Sequence, residues 1–239
     1  MKIGDCESFP IQNPQSKNQN LLKGDLMRVI ILGAGEQGRV VLNILQYDKE
    51  FQIVGFIDVC DNPPIWGIQV KGIGVLGGLS LLPELYQKKT EGCIVAFGDN
   101  KRRVELAHQA KKIGYSLVNA IHPSAVISKC ATLGEGIVIC PNVSINPDVN
   151  IGNNVIINTG AIVEHNCVIE EGVHIAPGVH LAGGVKVKAN TFVGIGATVI
   201  DDLTIGENSI IGAGAVIIKD VPDNVTVVGV PGRVVKKNE

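Results

Sequence analysis

Aromatic residues are scarce: nine of 239 are Phe, Trp or Tyr. Basic charge is scarce too, because 21 Lys and Arg face 23 Asp and Glu, for a net charge of −2. No basic field therefore exists to hold nucleic acid or an anionic membrane surface. Mean hydropathy is high, at +0.26, yet no uncharged apolar run reaches the ~18 residues of a membrane span. The first residues, MKIGDCESFP, carry no arginine-rich or apolar leader of a targeting segment. Cys6, Cys60, Cys93, Cys130, Cys140 and Cys167 form no CxxC pair and no metal-ligand spacing. Reduced thiols in a cytoplasmic protein are the expectation. The apolar fraction of 45% is ample for a core and excludes general disorder.

The missing rings divide the chain. Eight of the nine precede residue 121, and Phe192 alone follows it, while glycine splits almost evenly, with 14 before and 15 after. Starting at Ile121 and stepping by six, the chain reads Ile127, Leu133, Ile139, Ile145, Ile151, Ile157, Val163 and Ile169. The step continues through Ile175, Leu181, Val187, Val193, Val199, Ile205, Ile211 and Ile217 without an insertion. Four residues after each stands a mostly small or β-branched partner, such as Ala125, Ala161, Cys167 or Ala197. A six-residue unit is a short strand plus a turn, with one large and one small side chain pointing inward. Period six excludes a helix and predicts a parallel β-helix of about five triangular coils, roughly 26 Å tall at ~4.8 Å per coil.

The first half alternates strands and helices. Residues 28–32 read as a buried strand, followed by Gly33-Ala34-Gly35-Glu36-Gln37-Gly38 and a helical stretch, Arg39–Tyr47. This is GxGxxG between strand and helix, where backbone N–H groups and a helix N-terminus can hold phosphate. A second strand, Phe51–Asp58, ends in an acid suited to a ribose hydroxyl. A third, Cys93–Phe97, leads to Gly98-Asp99-Asn100 and the basic Lys101-Arg102-Arg103. Some 90 residues are too few for both halves of a dinucleotide site, so a mononucleotide or nucleotide sugar is favoured over NAD. The expected organisation is a polar extension (1–27), a small Rossmann-like α/β domain (28–120), and a β-helix with a C-terminal cap (121–239).

Among the histidines, His165 stands out because Glu164 and Asn166 flank it. His174 lies nine residues on, half a coil away. A histidine offers a base near neutral pH for acyl transfer, and backbone N–H groups at glycine turns can serve developing negative charge. Cys167 falls on an inward repeat position and reads as core, not nucleophile. His108 and His122 receive no role, and His180 is ambiguous.

Asn158-Thr159, Glu164-His165-Asn166-Cys167, His174, Pro177, Gly183 and the terminal Val230-Pro231-Gly232-Arg233 resemble one family. It is the bacterial sialic-acid O-acetyltransferase and nucleotide-amino-sugar N-acetyltransferase family, and the resemblance covers residues 28–236. The resemblance implies a left-handed β-helix, a homotrimer and acetyl-CoA as co-substrate, with no metal. It implies His165 as catalytic base, His174 at acetyl-CoA, and the Gly183 N–H at the thioester oxyanion. Further CoA contacts fall at Ile195, Ala213 and Arg233. The nucleotide sugar falls against Gly33, Gly35, Glu36, Gln37, Asp58 and Gly98. Two departures are visible. Asn166 stands where the family usually has an acid, and Gly35-Glu36-Gln37 stands where it often has Ser-Gly-His.

The expected activity is transfer of acetyl to the amino group of a nucleotide-linked amino sugar, by direct attack, in surface-glycan synthesis. The nearest alternative is sugar O-acetylation. A β-helix zinc enzyme would need three converging histidines, and a nucleotide-binding scaffold would release no CoA thiol.

Overall fold

A computed structural model describes residues 26–59 and 66–238; the expected polar extension thus falls almost wholly outside the described residues. In the first half, strands β1 (Met27–Leu32), β2 (Phe51–Asp58), β3 (Gln69–Val70), β4 (Ile73–Gly78), β5 (Gly92–Val95) and β6 (Ser116–Leu117) form one sheet. Helices α1 (Glu36–Leu45), α2 (Leu82–Gln87) and α3 (Asn100–Ile113) connect them. The strand order is β3-β4-β2-β1-β5-β6, parallel throughout except for the β3/β4 hairpin. Central β1 is fully buried from Val29 to Leu32, which explains its unbroken apolar run. Helix α1 begins three residues before the expected Arg39, because Gly35 takes the extended backbone of an N-cap.

From Ala120 to Ile217 the chain coils in two-residue rungs separated by turns. Each rung pairs in parallel with the residues 18 further on, as Val138 does with Ile156 and Ile156 with His174. Three flat faces result. The first carries the rungs at Ala120, Val138, Ile156, His174, Phe192 and Ile210; the second those at Val126, Ser144, Ile162, His180, Thr198 and Val216; the third those at Thr132, Asn150, Val168, Lys186 and Thr204. The six-step aliphatics are buried from Ile139 onward; only Ile121, Ile127 and Leu133 in the open first coil are part-exposed. Turns pass through the left-handed region at glycine or short polar residues. Asp148, Asn166, Gly184 and Asp202 do so along the corner between the second and third faces. A hairpin of Val225–Val228 and Arg233–Lys237 closes the far end.

The first face joins the two halves. Outward-pointing Ala120, Val138 and Ile156 are buried in one cluster with Val41, Leu42 and Leu45 of α1. At the top, Tyr47 meets the His122 ring edge-on at 4.9 Å. Among the described cysteines, Cys93, Cys140 and Cys167 are buried free thiols.

Candidate active site

Two groups of candidate residues assemble, each in a different part of the chain. Gly33, Gly35, Glu36, Gln37, Asp58 and Gly98 line a single cavity of about 280 Å³, together with Ala34, Val59, Ala96 and Phe97. It lies at the carboxyl ends of β1, β2 and β5, where α/β sheets hold their ligands. The glycines do different work. Gly33 has φ +112° and sits where a Cβ would lie 2.6 Å from the Ala96 carbonyl oxygen. A Cβ at Gly38 would collide with the Gly33 carbonyl, so these two are demanded by backbone approach. A Cβ at Gly35 would meet nothing within 4 Å. The space there is open, at the start of a helix with no side-chain cap. Gln37 Nε2 is buried without a hydrogen-bond partner, an orphan donor beside that space. These features fit a phosphate-bearing ligand.

The second group is a corner of the β-helix. His165 follows the rung Ile162–Val163 in the turn between the second and third faces. Its Nδ1 lies 2.8 Å from Asn166 Oδ1. With the amide oxygen accepting, Nδ1 carries the proton and Nε2 presents its lone pair. Asn166 owes its place to the turn: its φ is +61°, and its backbone N–H donates to the Pro147 carbonyl in the previous coil. One coil below, Gly183 faces the imidazole, and the position its Cβ would take is 2.5 Å from Cε1 and 2.8 Å from Nε2. Around it, Ala182 donates to Val199 and Gly184 to His165, whereas Gly183 N–H makes no backbone bond among the described residues. Cys167 is buried and donates to the Ala182 carbonyl at 3.2 Å. Burial pushes its thiol up to about 11, so it is protonated core at neutral pH.

The remaining candidates stand apart from this corner. His174 lies on the first face, 9% exposed, with Phe192 edge-on at 5.1 Å and Asn158 Nδ2 3.3 Å from Nε2. Burial, aided by the nearby Arg103 charge, pushes it down to about 4, so it is neutral. Ile195 and Ala213 stack at the corner between the first and second faces, where Gly214 N–H donates to the Ile195 carbonyl. Ile195 is 60% exposed. Arg233 is exposed in the terminal hairpin and borders a separate cavity with Ile217 and Lys219. His180 projects from the second face, so histidines 165, 174 and 180 point from a corner and two different faces. Among the described residues no three His, Cys, Asp or Glu side chains are grouped as metal donors. No helix among them is long and apolar enough to cross a membrane.

One buried residue escaped the sequence reading. Arg103 is fully buried, whereas the sequence marks it only as the last of the basic run Lys101-Arg102-Arg103. The signal was its phase: Arg103, Leu106, Ala107 and Ala110 share the buried stripe of α3.

The family model for the PglD N-terminal domain matches residues 28–110. That for the bacterial transferase hexapeptide, six repeats, matches residues 148–183 and 184–219. Among solved structures, GDP-perosamine N-acetyltransferase from Caulobacter crescentus, in complex with CoA and GDP-perosamine, is 41% identical. The match covers 87% of this chain and 97% of that one, with a TM-score of 0.83. The chain belongs to the bacterial hexapeptide-repeat sugar acetyltransferase family. The acetyltransferase domain of PglB from Neisseria gonorrhoeae, in complex with acetyl coenzyme A, is 31% identical over 88% of this chain and all of that one, with a TM-score of 0.81. The β-helix is thus of the left-handed type of this family. Serine acetyltransferase from Bacillus subtilis is 40% identical over 52 residues; this chain spans about a quarter (24%) of that relative's length.

Proposed function

We propose that the protein transfers the acetyl group of acetyl-CoA to the amino group of a nucleotide-linked amino sugar, with His165 as general base. The observation that carries this reading is the pairing of His165 with Asn166 and Gly183 in a chain that also holds the glycine-lined cavity. The cavity takes the nucleotide: Gly33 to Gly38 serve the phosphates and Asp58 the ribose. Acetyl-CoA supplies an activated acyl carbon, and Ile195, Ala213, His174 and Arg233 are the residues assigned to hold it. As the amine bonds to that carbon, His165 Nε2 accepts its proton and then returns it to the departing thiolate. Asn166 holds the ring in the required tautomer, and Gly183 N–H faces the charge developing on the carbonyl oxygen. Direct attack needs no acyl-enzyme, consistent with the protonated Cys167.

A neutral partner at residue 166 favours an amine over a hydroxyl acceptor, because an alcohol must lose its proton as it attacks. The Caulobacter relative's complex holds GDP-perosamine, which makes that compound the first acceptor to try. The direct test is a panel of nucleotide amino sugars with acetyl-CoA, following free thiol. Thiol release with an O-linked product would redirect the reading to O-acetylation, and binding without thiol release would leave a scaffold.

The same geometry supports an oligomer. The α/β domain sits on the first face, whereas His165 occupies the corner opposite that face. One chain therefore turns its sugar cavity and its base in different directions, and a second copy completes the site. A closed C₃ ring meets this need. A cytoplasmic enzyme of surface-glycan synthesis is the corresponding cellular role.

A further inference from the structure

Arg103 spends its guanidinium on two different bodies. Nε donates to the Asn154 carbonyl at 2.8 Å, and Nη2 to the Gly172 carbonyl at 2.8 Å. These acceptors lie 18 residues apart, on consecutive coils of the β-helix. Nη1 turns the other way, to the Phe97 carbonyl at 2.9 Å, with Gly98 at 3.4 Å. Nη2 also donates to Asn100 Oδ1 at 2.9 Å. Asn100 in turn donates to the carbonyls of Asn190 and Thr191, at 3.0 and 3.1 Å. Burial lowers Arg103 only to about 10, so the charge persists. A buried charge met by carbonyls is an expensive way to hold two domains together, and an apolar side chain of the same volume would do so at less cost. What the guanidinium adds is direction.

Phe97 and Gly98 are the lip of the glycine-lined cavity. The strand order places Asp58 on β2, the Gly33–Gly38 loop after β1, and Gly98 after β5, in that spatial sequence. A nucleotide sugar with its ribose at Asp58 and its phosphates at the β1 loop brings its glycosyl end to Gly98. We propose that Arg103 is a positioning residue that pins this lip to the coils at Asn154 and Gly172 and so fixes where the sugar leaves the α/β domain. The inference rests on the nucleotide-sugar reading above.

The test uses the full chain with GDP and GDP-perosamine as probes. Arg103→Met keeps the apolar stem and removes every donor; Arg103→Lys restores a charge and part of the hydrogen bonding. In the Met variant the GDP-perosamine Kd and KM rise about tenfold or more. Free GDP affinity, acetyl-CoA KM and kcat stay within about threefold, and Lys recovers part of the loss. An unchanged GDP-perosamine Kd in a folded variant overturns the proposal. So does a loss of all parameters together in proportion to the unfolded fraction. If Arg103→Met does not fold, Asn100→Ala decides: it removes the brace beside the guanidinium and raises the same Kd about threefold, and no change overturns the proposal. An unaltered protein that binds neither these probes nor any other member of the nucleotide amino sugar panel refutes the nucleotide-sugar reading itself. Binding without thiol release refutes only the acetyltransferase step.

Discussion

Gly183 lies against the imidazole of His165 with no room for a single methyl group, since its Cβ position is 2.5 Å from Cε1. The backbone of one coil thus sets the ring of the coil above it. Gly183→Ala pushes the ring outward, and its exposed edge lets it move at little folding cost. Turnover should fall about 10²-fold, the usual result of a displacement near 1 Å, with the melting temperature nearly unchanged. A fully active Gly183→Ala enzyme would separate this glycine from the chemistry.

His165→Ala is expected to lower kcat by roughly 10²–10⁴. The side chain is exposed, so assembly and thermal stability should stay intact. Per-molecule turnover equal to that of the parent would show that another group takes the proton.

Asn166→Asp tests the neutral partner. Asp148 and Asp202 occupy equivalent corner turns at φ +62° and +57°, so an aspartate fits the backbone. A carboxylate beside Nδ1 favours the imidazolium, which should move the low-pH limb of the kcat/KM profile to higher pH. Superimposable profiles would show that residue 166 has no electrical hold on the base.

Mixed oligomers test whether two copies share a site. Gly35→Phe fills the cavity where a Cβ meets nothing, and His165→Ala removes the base in a different part of the chain. Each homogeneous variant should be inactive, and co-expressed mixtures should regain activity, as much as about a quarter of the parent's if subunits mix at random and sites act independently. Persistently dead mixtures, confirmed as mixed by native mass spectrometry, would place both halves within one chain.

Buried His174 makes the fold acid-sensitive. Its folded value near 4 lies below the ordinary 6.5, so between these limits only the unfolded chain takes up the proton. Stability is therefore full above pH 6.5 and falls progressively towards pH 4, by about 3 kcal/mol at most. Melting temperatures of His174→Gln should fall less steeply across that window. Parallel slopes for the two proteins would mean that the ring is hydrated in solution.

The β-helix was legible because its period is written in side chains that all point inward, from Ile121 to Ile217. The cavity was legible for a different reason: β1, β2 and β5 lie side by side, which brings Gly33, Asp58 and Gly98 together. The seam between the domains was not. Its outward residues Ala120, Val138 and Ile156 give way to His174 and Phe192 on the same face, so no repeat announces them. Arg103 was hidden by its neighbours Lys101 and Arg102, whose charges do point to solvent. The placement of His174 beside Arg103 likewise depended on a contact 71 residues away in sequence.

Because Arg103 grips carbonyls one coil apart, the β-helix is a ruler with graduations of 18 residues, and the α/β domain is clamped at two of its marks. Coils could be added beyond Thr191, the last carbonyl that Asn100 holds, without moving the cavity relative to those marks. An 18-residue deletion between the first rung and Asn154 would strand the clamp from the α1 contact above it, near His122. Length in this protein is free to vary in one direction only.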